Sequence, residues 1–249
     1  MCMKVICSVL LTLQVLGASM ISHAQTFQSS EVSVPLIELY TSEGCSSCPP
    51  AERWLSNLSD HDKLWSDFVP VAFHVDYWDY IGWKDPFASK EFSQRQRRYA
   101  REYREHTVYT PGMRKEGDEW RSWRKGGQPE SQKSIEVGKI AITVDESGVF
   151  NASFESEQLD SKKLTLNVAI LGVDLSSDVT SGENHGKTLE HNFVVLGISR
   201  YASGDESGWS GKLPAPSVEA PRYSVAAWVT QGQSLKPIQA TGGYLAQNN

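Results

Sequence analysis

Residues 36–55 read LIELYTSEGCSSCPPAERWL and combine three signals in order. A short apolar run typical of a buried strand is followed by a polar turn that Gly44 closes, and then two cysteines separated by two residues begin a helical pattern. Amide N–H groups at a helix start lack partners and carry partial positive charge, which stabilises a thiolate on the first cysteine. A strand, a Cys-x-x-Cys turn and a helix in this order predict thiol–disulfide chemistry.

Residues 1–24 have the pattern of a secretory signal peptide. Lys4 precedes an apolar run at 5–20, and a small-x-small cleavage site follows at 22–24. The alternative, a membrane anchor, needs roughly 20 apolar residues, and this run is shorter. Cleavage would also remove Cys2 and Cys7, leaving only the Cys-x-x-Cys pair. The sequence therefore predicts export across the inner membrane to the periplasm, with no membrane span after cleavage.

Charge and motif content exclude several classes of function. The formal net charge is -6, and loss of Lys4 with the signal peptide makes it -7. A mildly acidic, mixed surface argues against nucleic acid or an anionic membrane as partner. The sequence has no phosphate loop, no HExxH and no supported Ser/His/Asp arrangement. A disulfide between the two cysteines would persist after export, but it closes a loop of only two residues, so it stabilises little.

The second predicted strand covers residues 68–76. Alternation along it places Ala72, His74 and Asp76 on one face. If the helical pattern that ends near Asp60 joins the two strands as a right-handed βαβ unit, the strands are parallel and their carboxyl ends share one edge. We therefore expect His74 and Asp76 to lie near the Cys-x-x-Cys turn.

Downstream, a polar helical pattern covers 88–106 and a hairpin pattern covers 113–123. Beyond position 138 strand-like runs follow one another without a helical pattern between them. These runs are 139–144, 149–154, 164–173, 188–199, 223–230 and 235–240. They predict an antiparallel, sandwich-like sheet and divide the mature chain into domains at 25–137 and 138–249.

Several blocks of this sequence resemble one known family. They are ELYTSEGCSSCPPA at 38–51, FHVDYWDYIGWKDPF at 73–87, VYTP at 108–111, GENHGKTL at 182–189 and HN at 191–192. Together they resemble a bacterial family of secreted thioredoxin-like proteins that is catalogued only as a domain of unknown function. The blocks follow one another along most of the mature chain, which makes a chance match implausible.

The resemblance implies an α/β fold with a thioredoxin-like N-terminal domain and an appended antiparallel β-rich C-terminal domain. In thioredoxin-like folds a cis-proline at the place of Pro111 packs against the Cys-x-x-Cys, so the resemblance adds Pro111 to Cys45 and Cys48 as a catalytic-site residue. The turn lacks the tryptophan before the first cysteine and the Gly-Pro between the cysteines of thioredoxin itself. The redox potential of thioredoxin therefore does not carry over.

These residues predict an exported thiol–disulfide oxidoreductase. Cys45, at the exposed helix start, would be the attacking thiolate, and Cys48 would resolve the mixed disulfide from inside the turn. The reaction needs a protein or small thiol or disulfide as substrate and a redox partner that restores the cysteines, with no cofactor beyond the disulfide. Two alternatives stay open. One is binding or delivery of copper or zinc through Cys45, Cys48 and His74. The other is a non-catalytic interaction module with a structural disulfide.

Further side chains are candidates for the rim of the site: His74, Asp76, Trp78, Glu183, Asn184 and His191. His74 and Asp76 could tune the cysteine thiol, although such strand-end residues more often satisfy turn backbone groups. Trp78 belongs to an aromatic segment that could wall a groove but more often forms satellite core. Glu183 and Asn184 lie in a turn-like loop that could face the cysteines. The basic run at 95–104 is interpreted as a solvated helix face.

Overall fold

The computed structural model describes residues 24–131, 134–159, 163–203 and 208–246. The predicted signal peptide lies outside these ranges except for its last residue, Ala24, and its cleavage stays a prediction. Among the described residues, no helix is both long and apolar enough to cross a membrane.

Strands make up most of the regular structure in these ranges. The α-helices described are α1 (Pro49–Ser56) and α2 (Lys90–Glu102), and short 3₁₀ helices cover Asn57–Asp60, Asp76–Ile81 and Ser122–Lys125. In chain order the strands are β1 (Gln25–Gln28), β2 (Leu36–Thr41), β3 (Val69–His74), β4 (Gly112–Lys115), β5 (Asp118–Glu119), β6 (Lys139–Val144), β7 (Val149–Glu155), β8 (Leu164–Val173), β9 (Leu175–Asp178), β10 (Thr188–His191), β11 (Val194–Ala202), β12 (Gly208–Lys212), β13 (Arg222–Gln231) and β14 (Pro237–Tyr244).

One eight-stranded sheet organises the molecule, in the order β14-β13-β8-β11-β3-β2-β4-β5. β2 and β3 are parallel, with Leu36 opposite Val69, and β3 is also parallel to β11. The other pairings in the sheet are antiparallel. Every residue of β2 and β3 is buried, which is typical of strands covered on both faces.

A second, four-stranded sheet packs against one end of the first. Its order is β1-β6-β7-β12, and every pairing within it is antiparallel. Apolar residues of β6 and β7 form one core with residues of β8 and β13, including Ile140, Phe150, Leu166 and Val225. β9 and β10 form a separate two-stranded antiparallel sheet, and β10 packs against α1.

The prediction of a thioredoxin-like N-terminal domain with an appended antiparallel β domain is wrong. β3 from the first half pairs directly with β11 from the second half, so strands from 25–137 and 138–249 form one mixed sheet. The described chain is therefore mostly strand and has no separate α/β unit at its N-terminal end. Sequence patterns predicted most of the strands, but not that the free edge of β3 would pair with a strand more than a hundred residues away in the chain. The division of the mature chain into domains at 25–137 and 138–249 stays a prediction.

A buried ion pair fixes α2 on the main sheet. Glu38 of β2 is fully buried and accepts hydrogen bonds from Arg95 Nε at 3.0 Å and Nη2 at 2.8 Å. Tyr99 donates to the same carboxylate, and burial, followed by the Glu38 charge, raises the pKa of Tyr99 well above its ordinary value. The interpretation of 95–104 as a solvated face is therefore wrong for Arg95, which turns inward with the helical stripe of Phe92 and Tyr99.

Candidate functional site

Cys45 and Cys48 are joined by a disulfide immediately before α1. The carbonyl of Cys48 accepts the N–H groups of Ala51 at 2.9 Å and Glu52 at 3.2 Å, which begins the helix, and the prolines at 49 and 50 occupy positions whose N–H groups would have no partner. Cys45 is 1% exposed and Cys48 is fully buried. The expectation of an exposed Cys45 is therefore wrong, because another part of the chain covers the turn.

The covering segment is the loop between β9 and β10. Buried Asn184 donates from Nδ2 to the carbonyl of Glu43 at 2.7 Å and to that of Cys45 at 3.0 Å. Exposed Glu183 accepts the N–H of Ser46 at 3.0 Å. Hydrogen bonding from the Ser46 side chain, and then from this N–H, lowers the pKa of Glu183. The sequence placed Glu183 and Asn184 among the rim candidates, and the structure brings both onto the Cys-x-x-Cys turn.

Trp78 and the Thr110–Pro111 segment lie on another side of the turn. Trp78 is half-buried and donates from Nε1 to Thr110 Oγ1 at 2.8 Å. It packs so closely on Gly44 that a Cβ there would lie 2.9 Å from Trp78 Cβ, so this position needs glycine. The Thr110–Pro111 peptide bond is cis and Pro111 is buried. Trp78 thus connects the cysteine turn to the segment that carries Pro111.

His74 lies at the end of β3 in a buried acidic environment. Its Nδ1 is 2.7 Å from Asp85 Oδ2, and both side chains are fully buried. The same Asp85 oxygen accepts the N–H of Glu43 at 2.9 Å, while its other oxygen accepts the N–H of Phe87 at 2.9 Å. Asp85 therefore ties the strand that carries His74 to the turn that carries the cysteines.

His191 lies between two buried carboxylates. Its Nε2 is 2.9 Å from Glu43 Oε1, and its Nδ1 is 2.8 Å from Glu52 Oε2. Burial alone would lower the pKa of His191. The negative charge of Glu52, followed by the hydrogen bond and charge of Glu43, has a larger opposite effect and raises the pKa to about 10. Burial likewise opposes ionisation of Glu52, yet His191 lowers the pKa of that carboxyl. At neutral pH this trio is an imidazolium between two carboxylates.

The raised pKa of His191 predicts a loss of stability in alkali. A group whose pKa is higher in the folded state stabilises it fully below the unfolded pKa, about 6.5, and this contribution disappears as pH rises toward about 10. We expect the free energy of unfolding to fall across that window by up to about 1.4 kcal/mol per pH unit through His191. Denaturant titrations at successive pH values measure this. The His191→Gln variant should lack this part of the slope, and an identical slope in both proteins would contradict the assignment.

One predicted rim residue, Asp76, does not contact the buried histidines and carboxylates around the cysteine turn, and three residues that do contact those histidines were not predicted. Asp76 accepts a hydrogen bond from Ser93 of α2, so it anchors the 3₁₀ helix at 76–81. Glu43, Glu52 and Asp85 lie against the two buried histidines, but the sequence did not predict them as site residues. A signal for Glu52 existed, because it is four residues after Cys48 and three before Leu55 and so shares the buried face of α1.

Comparison with known proteins gives a family but no activity. The family model described as a protein of unknown function (DUF1223) matches residues 36–230. A crystal structure of an Agrobacterium tumefaciens protein is similar with a TM-score of 0.59 and 24% identity, covering 87% of this chain and 96% of that one. HBP35 of Porphyromonas gingivalis gives a TM-score of 0.49 and 14% identity, covering 87% of this chain and 76% of that one.

No curated protein matches the chain significantly. The Agrobacterium similarity extends over both halves of the chain, in keeping with one architecture rather than an N-terminal module with an appendage. The match to the family model confirms the resemblance to a family of unknown function, without showing its activity. Because the family model spans residues 36–230, which is most of the chain, this protein belongs to the DUF1223 family of proteins of unknown function.

Proposed function

We propose that this protein is a thiol–disulfide oxidoreductase in which Cys45 and Cys48 exchange electrons with a dithiol or disulfide substrate. The observation that carries the proposal is the Cys45–Cys48 disulfide at the N-terminus of α1. A disulfide that closes a loop of only two intervening residues removes little entropy from the unfolded chain, so it stabilises the fold only slightly. A structural role alone therefore explains this disulfide poorly. A thiolate released at that helix end is stabilised by the partial positive charge of the helix N-terminus.

The exchange conserves atoms and electrons. A substrate thiolate attacks Cys45 Sγ, the bond between the two protein sulfurs breaks, and Cys48 leaves as a thiolate. The second substrate thiolate then attacks the substrate sulfur of the mixed disulfide and releases Cys45. The substrate ends as a disulfide, and the protein holds two electrons as a dithiol. A partner disulfide accepts those electrons and restores the Cys45–Cys48 disulfide. In the reverse sequence a partner dithiol supplies the electrons and a substrate disulfide is reduced.

A synthetic peptide with two cysteines provides the direct test. We expect the oxidised protein to oxidise the reduced peptide, and Cys45→Ser to abolish the reaction. The reduced Cys48→Ser variant, offered the oxidised peptide, should accumulate a mixed disulfide at Cys45, visible by mass spectrometry after alkylation. Ser46→Ala is the matched control, since it alters an exposed side chain between the cysteines and leaves both sulfurs in place. Exchange by Cys45→Ser at the rate of the unsubstituted protein would refute the proposal.

The Asn184 loop should control access to the disulfide. Asn184→Ala removes two hydrogen bonds to the carbonyls of Glu43 and Cys45, each worth about 0.5–1.5 kcal/mol. If the loop must open before a thiol reaches the sulfur, we expect reduction by dithiothreitol to accelerate about tenfold or more, because about 1.4 kcal/mol is a factor of ten in an equilibrium. His185→Ala changes the neighbouring exposed side chain and serves as control. An unchanged rate in folded Asn184→Ala would show that the loop is not the barrier.

A further inference from the structure

Three side chains from separate elements bring metal-binding atoms together in the interior. Glu52 of α1, His74 of β3 and His191 of β10 each offer one ligand atom, and these atoms all lie within 4.8 Å of one another. Their exposures are 5%, 0% and 1%. We propose that Glu52, His74 and His191 bind one divalent transition-metal ion, such as zinc, at a site that uses neither cysteine.

His74 has a free ligand atom aimed into the cluster. Its Nδ1 is engaged with Asp85 Oδ2 at 2.7 Å, while its Nε2 is buried and has no hydrogen-bond partner among the described residues. Because a carboxylate only accepts hydrogen bonds, Nδ1 donates in this pair, and in the neutral ring Nε2 presents a lone pair. A buried polar atom without a partner costs free energy, and a metal ion at Nε2 would satisfy it.

His191 and Glu52 repeat this arrangement. His191 Nε2 forms a hydrogen bond with Glu43 Oε1, while its Nδ1 is close to Glu52 Oε2 at 2.8 Å but is out of line for a hydrogen bond. Thr41 donates to the other oxygen of Glu52. Metal-binding histidines almost always give their second ring nitrogen to a carboxylate or carbonyl, which fixes the tautomer and ring orientation. Both histidines have that carboxylate partner here.

The charge of the cluster also favours a cation. Three buried carboxylates, Glu43, Glu52 and Asp85, surround two imidazoles, so protonation of both rings would still leave one negative charge uncompensated. Buried charge without a counter-ion is strongly destabilising. A divalent ion bound between the two histidines and Glu52 would compensate this negative charge.

The local packing is compatible with a coordinated ion. In a tetrahedral site with bonds of about 2.1 Å, ligand atoms lie roughly 3.4 Å apart. Atoms that now lie up to 4.8 Å apart would approach by up to about 1.4 Å, while His191 Nδ1 and Glu52 Oε2, which lie 2.8 Å apart, would separate slightly. Phe87 packs edge-on against both rings, at 5.3 Å from His74 and 5.4 Å from His191, and fixes their orientation. The three proposed ligands line one narrow gap, which is closed by apolar and small polar side chains: Leu39, Leu55, Ser56, Ala72, Asn192 and Val194. Two imidazoles and a carboxylate suit zinc or cobalt(II) better than copper(I), which prefers sulfur.

Metal loading of the intact, oxidised chain tests the proposal. The protein is refolded without reductant in the presence of zinc, freed of excess metal by gel filtration, and analysed for metal content. We expect one zinc per chain. Cobalt(II) in its place should give visible absorption without a thiolate charge-transfer band. The Cys45→Ser/Cys48→Ser variant should still bind one zinc, which separates this site from one built on the two sulfurs.

Ligand variants locate the ion. Affinity measured by competition with a chelator should fall on the order of a hundredfold in His74→Gln. It should fall roughly 10–100-fold in Asp85→Asn, which leaves the three proposed ligands in place and replaces the carboxylate that holds His74 Nδ1. His185→Gln, an exposed histidine in the covering loop, should bind as the unsubstituted chain does. The proposal is overturned if the folded, oxidised protein retains no zinc. It is equally overturned if folded His74→Gln and Asp85→Asn both bind with unchanged affinity, or if zinc binding disappears with the two cysteines.

Discussion

Replacing Arg95 with alanine is expected to lower the free energy of unfolding by about 3–5 kcal/mol, because it leaves the Glu38 carboxylate buried without its cation. Glu38 is fully buried, and Arg95 reaches it with two hydrogen bonds while lying over the rings of Phe73 and Trp228 at 5.0 and 5.5 Å. The substitution removes this packing as well as the charge. Urea denaturation followed by far-UV circular dichroism measures the change.

A second variant separates the buried charge from the lost packing. In Glu38→Gln/Arg95→Met neither member of the ion pair is charged. The amide oxygen can accept from one of the two tyrosines, Tyr40 or Tyr99, while the amide N–H donates to the hydroxyl of the other, so we expect more than half of the lost stability to return. Arg101→Ala on the exposed face of the same helix should change stability by no more than about 0.5 kcal/mol. Equal destabilisation by Arg95→Ala and Arg101→Ala would contradict the role assigned to the ion pair.

Replacing His191 with glutamine should cost a comparable amount, about 3–5 kcal/mol at neutral pH. The imidazolium lies 2.9 Å from Glu43 Oε1 and 2.8 Å from Glu52 Oε2, and glutamine cannot supply its charge. The two carboxylates would then face each other in the interior. Differential scanning calorimetry in the presence of a chelator, so that no metal contributes, gives the loss.

The matched control is again a paired substitution. Glu52→Gln in the His191→Gln background removes one of the two like charges, and we expect it to recover part of the stability that the single variant loses. His185→Gln should leave the melting temperature unchanged, since that side chain is exposed. If Glu52→Gln lowers the stability of the His191→Gln protein further, the two carboxylates are not in electrostatic conflict.

Local patterns were sufficient to predict most of the elements. The apolar runs at 139–144 and 164–173 are β6 and β8 with the predicted bounds, and β2 is parallel to β3 as the βαβ argument expected. β12 was missed because Gly208–Lys212 has the composition of a turn and becomes a strand only through pairing with β7. Which strands share a sheet depends on contacts distant in the chain. For that reason the partner of β3, and with it the fold class, could not be obtained from periodicity.

At the candidate site, too, local sequence patterns predicted some residues, while others depend on contacts between distant parts of the chain. The cysteine pair, Asn184 and His191 carry residue types whose chemistry is visible in the sequence. The acidic partners are less visible, since Glu43 is in a polar turn and Asp85 follows an exposed lysine, Lys84, so neither looks buried until the aromatic segment folds over them. Their burial is produced by tertiary packing. Sequence reasoning could therefore predict the sulfur chemistry but not the carboxylate–histidine network beside it.

The reduction potential of the Cys45–Cys48 disulfide tests the proposed exchange most directly. It is measured on the folded chain by equilibration with glutathione buffers, followed by alkylation and mass spectrometry. An exchange-active pair should lie above about −300 mV, within the range of roughly −120 to −270 mV that disulfide oxidoreductases occupy. A potential below about −300 mV, where structural disulfides resist the glutathione pool, would contradict the account.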